Sequence, residues 1–351
     1  MTDSDNNRPI RTLVVDDSAF ARKVLRETLS TSRAIEVVGV ARDGLEALEK
    51  IAELKPDVVT LDLIMPNLDG LGVLRALPAE GAPAVVIVSI SDSNSALGVE
   101  ALQMGAVDLV QKPTALATDR LYELSSELVA KVVAAGRSHP RLVTAAPTTT
   151  EAARLKAPVA SRSAVKLIAV GASTGGPQAL TRLLTALPAD LPCAVAVALH
   201  IPAGYTEALA ARLNDTCALR VFEASEDAPL TPGSVAIARG GMNLRIRQTR
   251  GVLTTHLDNQ PTLSRFLPSV DVLLESATAA LGSAVLGVVL TGMGSDGLEG
   301  ARALHQAGGR ILTESESSCV VYGMPRSIAE AGLSAGEARI ERMAQAILDR
   351  I

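Results

Sequence analysis

At 351 residues, with 48% apolar and 20% charged positions, the chain holds enough core material for two or three domains. Only 2% of positions are aromatic and none is Trp, so that core must be aliphatic and rich in alanine. A formal net charge of −5 gives no electrostatic footprint for nucleic acid. No apolar run reaches the roughly 18 residues of a membrane span, and the polar start Met1 to Asn7 lacks the pattern of an export signal, so a cytoplasmic protein is expected. Cys193, Cys217 and Cys319 are far apart and form no C-x-x-C pair, which reads as reduced packing thiols.

Residues 9–133 form one block in which short apolar runs alternate with amphipathic helical patterns. Strands are expected at 11–15, 35–40, 58–61, 84–90 and 107–110, each with a helix behind it. Five such units predict an α/β domain with a doubly wound, flavodoxin-like, five-stranded parallel sheet and helices on both faces. Polar residues sit where the apolar runs stop: Asp16 and Asp17, Asp62, Ser89, and Lys112 before Pro113. In such a sheet these ends converge on one rim, where ligands bind. Carboxylates crowded there repel unless a cation neutralises them, and oxygen ligands suit magnesium; a lysine and a hydroxyl complete a phosphate-sized site. Any one of these residues reads equally well as a helix cap, as Ser18 or Asp17 would for a helix starting near Ala19, but the set at successive strand ends does not.

With Asp16-Asp17, the run Asp62-Leu63-Ile64-Met65-Pro66-Asn67-Leu68-Asp69-Gly70, Ser89 and Lys112-Pro113 in this order, the block resembles the receiver domain of bacterial two-component response regulators. The resemblance implies that Asp62 takes a phosphoryl group from a phosphohistidine on a sensor histidine kinase. It also implies Mg²⁺ held by Asp17, Asp62 and the Ile64 carbonyl, with Asp16 assisting through water, and Ser89 and Lys112 on the phosphoryl oxygens. Transfer of this kind works by positioning and charge neutralisation. Leu109 stands where many receivers carry a Tyr or Phe switch, so an aromatic gate is not expected.

From 134 to 164 the periodicity stops and Pro, Ser, Thr and Ala dominate, the composition of a flexible linker. A second α/β block spans 165–351. Its strands are expected at 166–170, 194–199, 234–237, 244–247, 252–256, 285–290 and 310–313, and the three from 234 to 256 look like a hairpin or meander inserted in a parallel sheet. The first strand runs into Gly171-Ala172-Ser173-Thr174-Gly175-Gly176-Pro177, which presents a serine on a strand-to-helix turn, a place for a nucleophile. The same turn is good N-cap chemistry, and glycine-rich turns also cradle phosphates. Its spacing, however, is G-x-x-x-G-G, and the next strand ends in His200 where a dinucleotide fold wants an acid for ribose. Histidine on that rim suits a general base. Of the other histidines, His139 falls in the linker, His256 in the hairpin and His305 within a helix over 298–307. The strand at 285–290 opens into Thr291-Gly292-Met293-Gly294-Ser295-Asp296-Gly297, offering Asp296 either as the carboxylate that orients His200 or as a cap for the helix starting near Gly297.

The order Ser173, His200, Asp296 differs from the Ser, Asp, His order of α/β-hydrolases. Together with Leu199-His-Ile-Pro-Ala-Gly204, Pro268-Ser-Val-Asp-Val272, Leu290 to Gly297 and Tyr322-Gly-Met-Pro-Arg326, it makes the second block similar to the protein-glutamate methylesterases of bacterial chemotaxis. This resemblance implies a serine hydrolase that demethylates glutamate methyl esters on cytoplasmic helices of chemoreceptors, releasing methanol, and that often deamidates glutamines. Ser173 would be the nucleophile, His200 the base and Asp296 its orienting acid, with N–H groups near Thr174 and the Met293-Gly294 turn stabilising the oxyanion. No cofactor is implied for the esterase, and the receiver would control it by phosphorylation. One departure is Arg239-Gly240-Gly241-Met242-Asn243-Leu244, where the family commonly has a histidine at the position of Asn243. Arg239, Arg245, Arg247 and Arg250 then read first as a solvated hairpin face and second as a contact for an acidic receptor surface.

Two competing functions are a regulator acting on another methylated signalling protein and a regulator whose output is binding alone. Residues 165–351 carry 15 Lys and Arg against 17 Asp and Glu, with no basic recognition helix, which argues against DNA. The expected partners are a sensor histidine kinase and a methylated receptor, with no nucleic acid and no membrane insertion; a monomer is expected.

Overall fold

The computed structural model describes residues 8–78, 80–89, 95–112, 118–138, 165–260 and 266–351. The chain divides into two compact units, one within 1–147 and the other within 148–351. In the first, β1 (Ile10–Val15), α1 (Ala19–Leu29), β2 (Ile35–Ala41), α2 (Gly44–Leu54), β3 (Val58–Leu61), α3 (Gly70–Ala76), β4 (Ala84–Ser89), α4 (Ser95–Gln103), β5 (Asp108–Gln111) and α5 (Thr118–Arg137) follow one another. The strands pair in the order β2-β1-β3-β4-β5, all parallel. Helix starts are written locally: the side chains of Ser18, Asp43 and Asp69 accept from Ala21 N, Glu46 N and Gly72 N at 3.3, 2.9 and 2.6 Å. Central strands β3 and β4 are buried along their whole length, as a sheet covered on both faces requires. The last helix extends to Arg137, past the linker boundary expected at 134, because Ala134 and Ala135 still have core to bury against. The rest of the expected linker, from 139 to 164, lies outside the described residues.

The second unit contains β6 (Leu167–Ala172), α6 (Gly176–Ala186), β7 (Ala194–Leu199), α7 (Thr206–Thr216), β8 (Arg220–Glu223), β9 (Pro229–Leu230), β10 (Ser234–Ile237), β11 (Asn243–Thr249), β12 (Val252–Asp258), α8 (Val270–Leu281), β13 (Val285–Val289), α9 (Leu298–Gln306), β14 (Arg310–Glu314), α10 (Met324–Glu330), β15 (Glu337–Ala338) and α11 (Ile340–Leu348). Seven strands form one parallel sheet in the order β15-β14-β13-β6-β7-β10-β8. The inserted meander therefore needs correcting: β10 belongs to the main sheet, and only the β11-β12 hairpin, with β9 alongside, forms a separate antiparallel sheet. Burial explains the difference, since all four residues of β10 are covered, whereas outward positions of β11 and β12 face solvent. Strands β8, β9 and β15 escape sequence reading because two of them have two residues and the third is a half-exposed edge.

The core here is built from small side chains. Ala169, Ala194, Ala196, Ala198 and Ala236 on β6, β7 and β10 share one buried cluster with Val270, Leu273, Leu274 and Ala277 of α8. Alanine strands let that helix lie close to the sheet, which brings its first turn to the rim where the sheet's strands end.

Candidate functional site

In the second unit the chain leaves β6 for β7 on one side and returns to β13 on the other, so the end of β6 is a topological switch point. Ser173 follows β6, His200 follows β7, and the loop bearing Asp296 follows β13. Register brings the first two side by side: Ala172 pairs with Leu199, and His200 N donates to Ala172 O at 3.0 Å. Ser173 N donates in turn to Thr291 O at 3.0 Å. The capping alternative for Ser173 is not what its side chain does, because the N-cap of α6 is Gly175, at φ 78°, with no side-chain cap bond. Gly292 is required for another reason: a Cβ there would stand 2.8 Å from Ser173 Cβ and 2.4 Å from Met324 Sδ.

Asp296 reaches His200 Nε2 at 2.8 Å, while the other ring nitrogen, Nδ1, is buried without a hydrogen-bond partner among the described residues. The carboxylate does not cap the helix that follows it. It sits across the N-terminus of α8, accepting from Ser269 Oγ at 2.9 Å, Val270 N at 2.7 Å and Asp271 N at 3.3 Å. Burial works against its charge, but His200 and these donors hold its carboxyl well below the usual carboxylate range. Phe266 stacks on the His200 ring, with centroids 4.1 Å apart and planes 12° from parallel. Asp296 is bonded to His200 and Ser173 lies at the end of the neighbouring strand, while Ser269, Asp271 and Phe266 stand around Asp296 and His200 unforeseen. The signal for Phe266 was its rarity, as one of only three Phe in the chain, just ahead of the Pro268-Ser-Val-Asp-Val272 motif.

Behind the serine, Glu314 at the end of β14 is buried and accepts from Thr291 N and Ser318 Oγ, both at 2.8 Å. Burial pushes its carboxyl up. Thr291 Oγ1 donates to Thr174 O at 2.9 Å, so the loop after β13 is tied to the serine turn from both ends. Asn243 is fully buried and accepts from Ser269 N at 3.0 Å through Oδ1. The hairpin arginines are engaged within the chain: Arg239 with Glu223 at 3.0 Å, Arg245 with Asp258, and Arg247 with Glu226 at 3.9 Å. Arg250 sits in the β11-β12 turn at φ 52°. His256 bonds Glu226 at 2.6 Å, away from the serine, and His305 lies on α9. His139 is outside the described residues.

In the first unit the ends of β1, β3, β4 and β5 are neighbours, and they bring Asp16, Asp17, Asp62, Ser89 and Lys112 to one rim. Oxygens of Asp16, Asp17 and Asp62 lie within 4.8 Å of one another. Lys112 Nζ is 2.6 Å from both Asp16 and Asp62. Burial, opposed by Lys112 and reinforced by Asp16, leaves the Asp62 carboxyl above its ordinary value. The Lys112 ammonium is raised despite its own burial by the two carboxylates. Ser89 Oγ is buried with no hydrogen-bond partner among the described residues, a donor that a phosphoryl oxygen would satisfy. The three carboxylates fit a hard divalent cation, with Ile64, two residues beyond Asp62, following on the loop. Leu109 is buried in β5, and Pro113 lies outside the described residues.

Comparison with known proteins agrees with this geometry. Residues 168–347 match the family model described as CheB methylesterase, and residues 12–123 match the response regulator receiver domain. The chain belongs to the CheB methylesterase family. A protein-glutamate methylesterase/protein-glutamine glutaminase of Myxococcus xanthus is 60% identical over 336 residues, covering 95% of this chain and 96% of that one. One from Oleidesulfovibrio alaskensis is 40% identical, covering 97% and 99%. The crystal structure of the Thermotoga maritima CheB methylesterase catalytic domain superposes with a TM-score of 0.52 and 34% identity, covering 53% of this chain and 99% of that domain. As a family member with an N-terminal receiver, the chain is an α/β methylesterase under response-regulator control. No helix among the described residues is long and apolar enough to cross a membrane.

Proposed function

We propose that this chain hydrolyses glutamate methyl esters on the cytoplasmic helices of chemoreceptors, with Ser173, His200 and Asp296 as its catalytic residues. The observation that carries the reading is the His200 Nε2 bond to Asp296, which leaves a buried Nδ1, unpartnered among the described residues, on the strand next to Ser173. Ser173 Oγ attacks the ester carbonyl and its proton passes to Nδ1; the tetrahedral oxyanion is met by backbone N–H groups of the Thr174 turn and the Met293-Gly294 turn. The C–O bond to the methoxy group breaks, and His200 returns the proton so that methanol leaves. Water then attacks the glutamyl-serine ester and gives a proton to Nδ1, the bond from the carbonyl carbon to Ser173 Oγ breaks, and His200 returns that proton to Oγ, leaving glutamate and free serine. Asp296 holds the imidazole and stabilises its protonated form throughout. A glutamine side-chain amide follows the same course with ammonia as leaving group, which accords with the paired activities in the relatives' names.

In the receiver, Asp62 is the acceptor for a phosphoryl group from a sensor histidine kinase, and Ser89 and Lys112 contact its oxygens. Asp17, Asp62 and the Ile64 carbonyl would hold Mg²⁺, with Asp16 assisting through water. The ion supplies charge neutralisation for transfer between anions. The protein works in the cytoplasm, as a monomer, with no cofactor at the esterase site.

The test is methanol release from a methylated receptor cytoplasmic domain, with Ser173→Ala as the control. Activity should fall by about 10³-fold or more. Full activity in that variant would end the serine-esterase reading, and release from a different methylated signalling protein in preference to receptor would reassign the substrate.

A further inference from the structure

One buried carboxyl takes no part in the reaction above. Glu314 ends β14, two strands from β6 in the sheet, and is 1% exposed. Its task follows from register. On the β6 side, Leu290 N still donates to Gly171 O at 2.9 Å. On the β14 side the pairing stops at Val289 opposite Thr313, so the next N–H turned that way, that of Thr291, has passed the end of the ladder. A buried N–H has to find a partner, and Glu314 supplies it from its side chain, accepting from Thr291 N at 2.8 Å through Oε2. Through Oε1 it accepts from Ser318 Oγ, also at 2.8 Å, and Ser318 Oγ in turn accepts from Ile340 N at 3.0 Å. The carboxyl thus forks between the loop after β13 and the loop after β14.

We infer that Glu314 is a positioning residue for the esterase: by holding Thr291 it fixes the serine turn and the Met293-Gly294 turn against each other, at the spacing the oxyanion requires. This inference rests on the proposed role of the Ser173 site. Thr291 is the hub that the carboxyl holds. Its carbonyl O accepts from Ser173 N at 3.0 Å, and its Oγ1 donates to Thr174 O at 2.9 Å and accepts from Val321 N at 3.0 Å. Gly292 N then donates to Val321 O at 3.0 Å, and Gly292 O accepts from Gly323 N and Met324 N at 3.1 and 2.9 Å. The loop after β14, held by the other arm of the fork, closes on the same turn: a Cβ at Gly175 would stand 2.6 Å from Val320 Cβ. The carboxyl therefore reaches the serine turn through two routes, one of hydrogen bonds and one of packing. Donors that meet full charge only in the transition state govern kcat more than KM, so loosening their spacing to Ser173 should show in kcat.

The test uses the full chain and compares wild type with Glu314→Gln, Glu314→Ala, Glu314→Met, Ser318→Ala and Ser173→Ala. It follows kcat and KM for methanol release per folded molecule, with the folded fraction read from circular dichroism and urea unfolding. Glu314→Gln keeps an acceptor for Thr291 N and gains a donor for Ser318 Oγ, so kcat should stay within about threefold of wild type. Glu314→Ala and Glu314→Met both remove the acceptor, the second at nearly the same length, and each should lower kcat by about 30-fold with KM within about twofold. Ser318→Ala cuts one arm of the fork at a half-buried side chain and should lower kcat by about fivefold. The rate at which a fluorophosphonate labels Ser173 should fall in step with kcat, since its P–O oxygen needs the same donors, a readout independent of ester turnover. A purely structural role would lower the folded fraction alone. Wild-type kcat per folded molecule in the acceptor-lacking variants and in Ser318→Ala overturns the inference, as does a loss in Glu314→Gln as deep as in Glu314→Ala. Both results leave the esterase reading intact so long as Ser173→Ala is inactive.

Discussion

Residue identity around the serine is constrained by contacts a few ångströms long. A methyl group at Gly292 would meet Ser173 Cβ at 2.8 Å and must displace the nucleophile, since Met324 closes the other side at 2.4 Å. We expect Gly292→Ala to cost about 100-fold in kcat while leaving a folded protein, as judged by circular dichroism. Wild-type kcat in that variant would mean that the serine turn has slack. Asn243 acts through the backbone of another segment: its Oδ1 holds Ser269 N, and so supports the turn that supports Asp296. A sequence reading could single out that position but not this task. Nor could it say which imidazole nitrogen faces Asp296, because that depends on a ring orientation set by Phe266 stacking and by the carboxylate's approach.

Helix α8 does at the level of elements what no single residue could. Its N-terminus holds Asp296 through Ser269 Oγ, Val270 N and Asp271 N, so the macrodipole and three hydrogen bonds stabilise the acid in ionised form. Ser269 has a double duty, because its hydroxyl also accepts from Val272 N at 3.4 Å. Replacing it by Ala removes a cap and one partner of a buried carboxylate. Ser269→Ala should destabilise the protein by about 1–3 kcal/mol in denaturant unfolding and lower kcat together with it. Unchanged stability would show that the cap is dispensable. Sequence periodicity located α8 only as a motif, Pro268 to Val272, and the link from that motif to Asp296 is a contact between residues far apart along the chain.

Across the whole molecule, two α/β units share one chain, each with its polar residues on the rim where its parallel strands end. The proposed coupling is tested with the intact chain and acetyl phosphate as phosphodonor. Methanol release should rise in wild type and stay at the basal rate in Asp62→Asn, which lacks the acceptor but keeps the esterase residues. An equal rise in both would locate the effect outside Asp62. Chelation of divalent cations should abolish the rise without touching the basal rate, since the esterase residues include no metal ligands.

Much of this protein was determined by local pattern. Alternating apolar strands and amphipathic helices set two α/β units, and the strand ends marked Asp16, Asp17, Asp62, Ser89 and Lys112 in one and Ser173, His200 and Asp296 in the other, because parallel strands must turn at one rim. What only the tertiary structure decided was pairing across distance. The placement of β10 in the main sheet depended on two-sided burial, and the extension of α5 past 134 on core contacts. The arrangement of Asp296, Asp271 and Ser269 around one helix terminus depended on how closely α8 packs on alanine strands. Hydrogen-bond partners far apart in sequence leave no periodicity behind them; they exist only once hydrophobic burial has brought their elements together.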